Sequence, residues 1–403
     1  AANSVIKNNE KQIYKEVWTK NENGEKIIVI KTNSDSEEGR LVANTIDEIK
    51  SKIEADNSDF AILYRTNAQS RAIEESLRRK NINYKIYGGL SFYQRKEIKD
   101  LLAYFRLTVN ANDEESLKRI INYPSRGIGT TTIQKLNLAA NKYDVSIWEI
   151  LSNIDKYEIK VNKGTREKLS NFQILVNNFI NNSKTKDAYE VAEDITKSTG
   201  IYGLLYSDKT PEGITRFENI QELLNAIKNF TNSSGNNLNL LSDFIEDIAL
   251  LTDQDQENEE DFNKVTLMTI HAAKGLEFKY VFVVGMEENL FPSMLSNESQ
   301  ESLEEERRLF YVAITRAEKR LFLSYANTRF KWGQYIDTDP SRFLLEIDER
   351  FTEKKETEEK NHYKIFPKRK TTFQPKQKKI NSRLKKINLS KLEVSGKKVF
   401  DLN

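Results

Sequence analysis

Apolar residues follow two different rhythms along this chain. Toward both ends they come in short dense runs: Glu25–Lys31, Phe60–Tyr64, Tyr84–Tyr87, Val265–Thr269, Tyr280–Val284 and Arg320–Tyr325. Runs of this length, rich in β-branched and aromatic residues, predict buried strands. Between them the spacing opens to three or four. Ser36-Glu-Glu starts a pattern with Leu41, Val42, Ile46, Ile49 and Ile53 on one helical face. Ala72–Lys80, Glu301–Thr315 and a closing segment Pro340–Ile347 read as further helices. Strands alternating with helices of this length predict an α/β fold with a parallel sheet.

From about Lys96 to about Asn263 the helical rhythm runs almost alone, as in Ile98, Leu101, Leu102, Phe105 and later Ile220, Leu223, Leu224, Ile227. An α/β pattern that stops and resumes at Val265 predicts a large all-α domain inserted into a sheet domain. The acidic stretch Asp253–Asp261 fits a linker at the return, and equally a solvated loop. The expected divisions are 1–97 and 264–350 for the two parts of the sheet domain, 98–263 for the insertion, and 351–403 for a tail. From Thr352 onward the chain is lysine-rich and poor in large apolar residues, which predicts disorder.

Composition narrows the chemistry. The chain has no cysteine, and its two histidines are His271 and His362. Disulfides, thiolate zinc sites, cysteine nucleophiles and multi-histidine metal sites are therefore excluded, and a reducing cytoplasm is the expected setting. No apolar run approaches a membrane span, and no signal-type apolar segment opens the chain, so no membrane is expected as a partner. At a net charge of +2, any case for nucleic acid rests on local patches.

Four stretches carry candidate chemistry. Val265–Gly285 reads as strand, polar loop, strand, with His271, Lys274, Gly275 and Glu277 in the loop. Loops at the ends of buried parallel strands are where open α/β sheets place ligands, and a solvated crossover is the alternative. In Leu303–Arg320, Arg316 lies at a helix end just before a strand, where its forked donors suit a phosphate. Surface ion pairing is the reading for Arg307, Arg308 and Arg320, and spacing leaves both readings open for Arg316. Arg65–Arg71 occupies a strand-to-helix loop whose amides, hydroxyls and arginine suit a backbone phosphate, with Asn67 alternatively a helix cap. Finally, Tyr123–Thr132 places Arg126, Gly127, Ile128, Gly129 and Thr130 between two helical segments. Such a turn can present free N–H groups to a phosphate, although Gly-x-Gly is often only a tight turn.

In order along the chain, LYRTNAQSRAIEE, YGGLSFYQRKEIKD, INYPSRGIG, TIHAAKGLEF with VFVVGMEENLFP, and EEERRLFYVAITRAEKRL resemble motifs of the UvrD/PcrA/Rep-like superfamily 1A DNA helicases. The resemblance runs from about Ala2 to Ile347. It implies a motor of two RecA-like domains that hydrolyses ATP with Mg2+ between them and steps 3′ to 5′ along single-stranded DNA in repair or replication. This chain matches the second motor domain and the helical domain inserted in it, called 2B in the family. It has no G-x-x-x-x-G-K-[ST] motif, and no acidic magnesium-binding motif can be assigned. The expectation is thus a C-terminal half that binds no ATP, Mg2+ or other metal alone, does not turn over ATP alone, and has the amino-terminal motor half as a partner.

By the same resemblance, Arg316 corresponds to the arginine finger, and Glu277 with Gly275 to the nucleotide side. Arg65, Asn67, Thr269, His271 and Lys274 correspond to single-stranded DNA contacts. Arg126, Gly127, Ile128, Gly129 and Thr130 correspond to a contact with the duplex at a single-strand/double-strand junction. In related bacterial helicases a basic linker like Lys364–Lys398 leads to a domain that contacts RNA polymerase, so that enzyme and repair proteins are candidate partners. Two other readings compete: a stand-alone DNA-binding or regulatory module without motor activity, and a helicase subunit of a recombination nuclease complex.

Overall fold

The structure, a computed structural model, describes residues 1–10, 24–233, 238–253, 262–331 and 334–356. The fold is built on one sheet of eight strands: β1 (Ile27–Ser34), β2 (Phe60–Tyr64), β3 (Tyr84–Ile86), β4 (Val265–Thr269), β5 (Phe278–Val283), β6 (Ala317–Lys331), β7 (Gln334–Asp337) and β8 (Thr352–Glu356). Their order is β3-β4-β2-β5-β6-β1-β8, all parallel, with β7 added to β6 as an antiparallel hairpin. Early and late strands interleave, so neither part of the sequence makes this sheet alone.

The chain leaves the sheet after Ile86 and returns at Val265 on the adjoining strand. Tyr84 pairs with Val265, and the Val265 N–H donates to the Asn83 carbonyl at 2.9 Å. A large excursion that ends beside its own starting point is an insertion in the physical sense. Among the described residues between Ile86 and Val265 the regular elements are helices, with no strand.

Alternation along β2 explains the layers. Ala61 and Leu63 enter one apolar core with Val281, Val283 and Phe310, while Phe60, Ile62 and Tyr64 enter another with Val42, Ile46 and Leu77. The inserted helices close a third core around Leu101, Leu102 and Phe105 of Lys96–Val109. The long helix Pro211–Ser233 serves two neighbours at once. Ile220, Leu223 and Ile227 fill the helical core. On another face Asn219 receives a hydrogen bond from Arg95 at 2.9 Å, Glu222 pairs with buried Arg71 at 2.6 Å, and Asn225 donates to Asp35 at 2.8 Å. The seam between insertion and sheet domain is therefore strongly polar.

Three sequence expectations are corrected. The strand expected at Arg320–Tyr325 runs over Ala317–Lys331, because its far half is held by β7 and Phe330 packs edge-on against Tyr189 in the helical core. The closing helix shortens from Pro340–Ile347 to Arg342–Leu345. Disorder from Thr352 is overturned at its start: Thr352–Glu356 forms β8 on β1. That strand is an edge held by backbone pairing, so its charged residues give no apolar signal. Residues 357–403, and 254–261 of the acidic linker, lie outside the described residues.

Candidate functional site

The connection from β4 to β5 is short, and both strands run parallel with β2 between them. It must therefore cross one face of the sheet, from the carboxyl ends of the strands back to their amino ends. Ile270 and Ala273 are buried in the core beneath it, and Ala272 and Leu276 pack partly against that core. His271, Lys274, Gly275 and Glu277 are left exposed. Gly275 has φ +87° with open space where a Cβ would stand, so the left-handed turn there requires glycine's freedom. Six residues of β5 at about 3.3 Å each separate the two edges by about 20 Å.

At the carboxyl edge, Tyr64 pairs with Thr269, so Arg65 emerges beside Ile270 and His271, with Thr269 half-buried at its strand end. The Arg65 Nε donates to both Glu306 oxygens at 3.0 Å, and Nη2 donates to Oε1 at 2.6 Å. Glu306 lies on the helix Gln300–Ile314, almost fully buried, and also accepts the Ser293 N–H at 3.3 Å. Gln69 Oε1 accepts the N–H groups of Arg65 and Thr66 at 2.9 and 2.8 Å, which closes the loop. Asn67 does not cap the turn. Thr66 is the cap, and the Asn67 carbonyl accepts from Arg95 at 2.8 Å. Partial desolvation of the exposed ring pushes the His271 imidazole below its ordinary range, and the Arg65 charge adds to this against the opposing pull of Glu306 and Glu305.

At the amino edge, Arg316 begins the approach to β6, and its carbonyl accepts the Phe278 N–H at 3.0 Å. Its half-buried guanidinium donates to the carbonyls of Val312 at 3.1 Å and Leu276 at 2.9 Å, and to the Thr315 hydroxyl at 3.0 Å. All three acceptors are neutral. They fix the fork in place and leave its charge uncompensated, which is what an incoming phosphate needs. Leu276 ties this arginine to the crossover, with exposed Glu277 as the next residue.

The other arginines of this helix divide. Arg308 pairs at the surface with Glu305 at 2.7 Å, and Arg320 pairs with Glu25, as expected of them. Arg307 does not: it is buried, bidentate to Glu346 at 2.7 and 2.9 Å, bonded to Asn9 at 2.6 Å and stacked over Phe343. It anchors the first residues of the chain to the sheet domain.

In the inserted domain, the Tyr123–Thr132 stretch turns between two helices, Glu114–Ile120 and Thr130–Tyr143. Asn122 Oδ1 accepts the N–H groups of Arg126 at 2.9 Å and Ile128 at 3.0 Å. Arg126 faces inward: its Nη1 donates to the carbonyls of Ile120 and Tyr123 at 3.1 and 2.7 Å, and its guanidinium lies over Tyr104 and Phe172. Ile128 is fully buried, while Gly127, Gly129 and Thr130 are exposed. Gly127 has φ +70°, and a Cβ there would stand 2.5 Å from the Lys168 ammonium. Gly129 caps Thr130–Tyr143 without a side-chain bond, and the Thr132 N–H turns back to the Gly129 carbonyl at 3.0 Å.

The structure thus groups Arg65, Thr269 and His271 at one sheet edge, Glu277 and Arg316 at the other, and Lys274 and Gly275 along the path between. The Gly127–Thr130 turn is a separate feature of the insertion. Sequence reasoning missed Glu306 and Lys168. Glu306 falls in one helical register with Phe310 and Ala313, both fully buried, and that spacing was the available signal. Among the described residues no group of His, Asp and Glu could hold a metal ion, and no helix is long and apolar enough to cross a membrane.

Comparison with known proteins finds a family and relatives for the chain. Residues 1–328 match the UvrD-like helicase C-terminal domain. The ATP-dependent DNA helicase PcrA of Bacillus subtilis strain 168 is 41% identical over 384 residues, covering 93% of this chain and 51% of that protein. The protein of the same name from Staphylococcus aureus strain Mu50 is 40% identical over 356 residues, covering 88% and 48%. The chain spans about half the length of these curated relatives. With most of its length matched, the chain belongs to the UvrD-like helicase C-terminal domain family.

Proposed function

We propose that this chain is the second motor half of an ATP-dependent 3′-to-5′ DNA helicase, working with an amino-terminal motor half that carries the nucleotide's phosphate-binding loop and Mg2+ site. The observation that carries the reading is Arg316. It is a preorganised guanidinium whose partners among the described residues are all neutral, at a sheet edge where a second domain can face it. Placed against the γ-phosphate of ATP held by the other half, it stabilises the charge that develops as the phosphoryl group transfers. Glu277 accepts from the nucleotide sugar, and Gly275 lets the backbone pass close by. At the far edge Arg65, Thr269 and His271, with Lys274 and the Asn67 loop, hold single-stranded DNA by its phosphates. The Gly127–Thr130 turn meets the duplex ahead through backbone N–H groups and reads no bases, with Arg126 and Ile128 shaping the turn from inside.

The crossover gives the mechanical link. One short segment touches DNA at His271 and lines the nucleotide cleft at Glu277, so closure of the cleft on ATP shifts the grip on DNA. The test is hydrolysis with and without the other half. The chain alone should show no DNA-stimulated ATP turnover, and the same chain joined to its amino-terminal half should show it. Turnover by the pure chain would contradict the proposal.

A further inference from the structure

We infer that Glu306 is a positioning residue for DNA binding, acting through Arg65 by fixing which edge of its guanidinium is offered to a backbone phosphate. This rests on the reading of Arg65 as a phosphate contact. The carboxylate takes the Nε and Nη2 side of the fork, at 3.0 and 2.6 Å, and leaves Nη1 without an acceptor among the described residues. A guanidinium has five N–H donors, so the pair and a phosphate can be served together. The holder itself is rigid. The Glu306 side chain is 6% exposed, shares its helix face with buried Phe310 and Ala313, and is further tied to the Ser293 N–H. Its neighbour Glu305 points to solvent and is taken by Arg308, so it cannot substitute. A long, flexible arginine is thereby held in one orientation before DNA arrives, and less freedom is lost on binding.

The experiment is a double-mutant cycle in the full-length protein, with the dissociation constant for an oligodeoxythymidylate read at fixed salt and thermal unfolding followed alongside. Arg65→Ala should weaken binding about tenfold, as loss of one charge-assisted contact does. Glu306→Gln, which keeps shape but loses the second charged acceptor, should weaken it about threefold to fivefold, and the double variant no further than Arg65→Ala alone. Glu306→Asp, with its charge kept but its reach shortened, should resemble Glu306→Gln. Multiplicative losses in the double variant would overturn the inference, since Glu306 would then act independently of Arg65. So would unchanged binding in Glu306→Gln beside a weakened Arg65→Ala, with the phosphate contact itself left standing. Unchanged binding in Arg65→Ala would remove that contact, and the inference with it.

Discussion

Arg65 and Arg316 stand at opposite edges of the same sheet, and their surroundings differ in one decisive respect. Arg65 is bound to a buried carboxylate; Arg316 is bound to two carbonyls and a hydroxyl. The first charge is partly neutralised within the fold, so the protein leans on it for stability as well as, on the proposed reading, for binding. The second is held in place without being answered, so it is available to a partner. One residue type at comparable exposure thus does two jobs, and the acceptors decide which.

The largest expected effect follows from the unanswered charge. If Arg316 acts as the proposed arginine finger, Arg316→Ala in the full-length protein should lower the rate of ATP hydrolysis by about a thousandfold or more, in the range of arginine fingers. Because only neutral acceptors lose a donor, its unfolding free energy should fall by no more than about 1 kcal/mol, read by denaturant titration. Arg65→Ala should behave in the opposite way. It strands Glu306 as a buried charge and should cost about 2 kcal/mol, discounted from the fully buried case because the Arg65 side chain is 21% exposed. A stability loss in Arg316→Ala as large as in Arg65→Ala would erase the contrast. Glu277→Gln should act more mildly, raising the KM for ATP about threefold with DNA affinity unchanged, since one hydrogen bond to a sugar changes from charged to neutral.

The smallest effect concerns pH. Partial desolvation and the Arg65 charge hold His271 below its ordinary pKa in the free protein. A phosphate beside it favours the charged ring, so the DNA-bound state has the higher pKa and binding takes up a proton. Affinity for single-stranded DNA should therefore tighten, about twofold, as pH falls from 7 toward 6. His271→Gln should lose that increment, whereas Glu306 and Glu305, whose charges oppose the shift, remain in both proteins. An unchanged pH dependence in His271→Gln would place the proton elsewhere.

How much of this was legible in the sequence depended on where each signal came from. Phe60–Tyr64 was bounded to the residue because it is buried on both faces, and a run of apolar residues records that directly. The insertion was legible because the helical rhythm replaced the strand rhythm wholesale. β8 was not, since Thr352–Glu356 joins the sheet through backbone bonds that leave no apolar trace. Arg307 was misread as a surface residue because it sits in a run of charges, and only the fold brings Glu346, Asn9 and Phe343 around it. The candidate residues were read by type and by family pattern, and that reading could not give their grouping. The Arg65–Glu306 pair joins positions 241 residues apart, and the crossover was read as one small loop. In the structure it spans the sheet, with its two ends held apart.

That separation is tested most directly by titrating ATP hydrolysis with single-stranded DNA in the full-length protein and its Arg65→Ala and Arg316→Ala variants. The account predicts a crossed result. Arg65→Ala should keep most of the plateau rate while its half-saturating DNA concentration rises about tenfold. Arg316→Ala should lose nearly all of the plateau, while its DNA affinity, measured by direct binding, stays within about twofold of the parent. A parent-like plateau in Arg316→Ala, or an equal loss of DNA affinity in both variants, would contradict it.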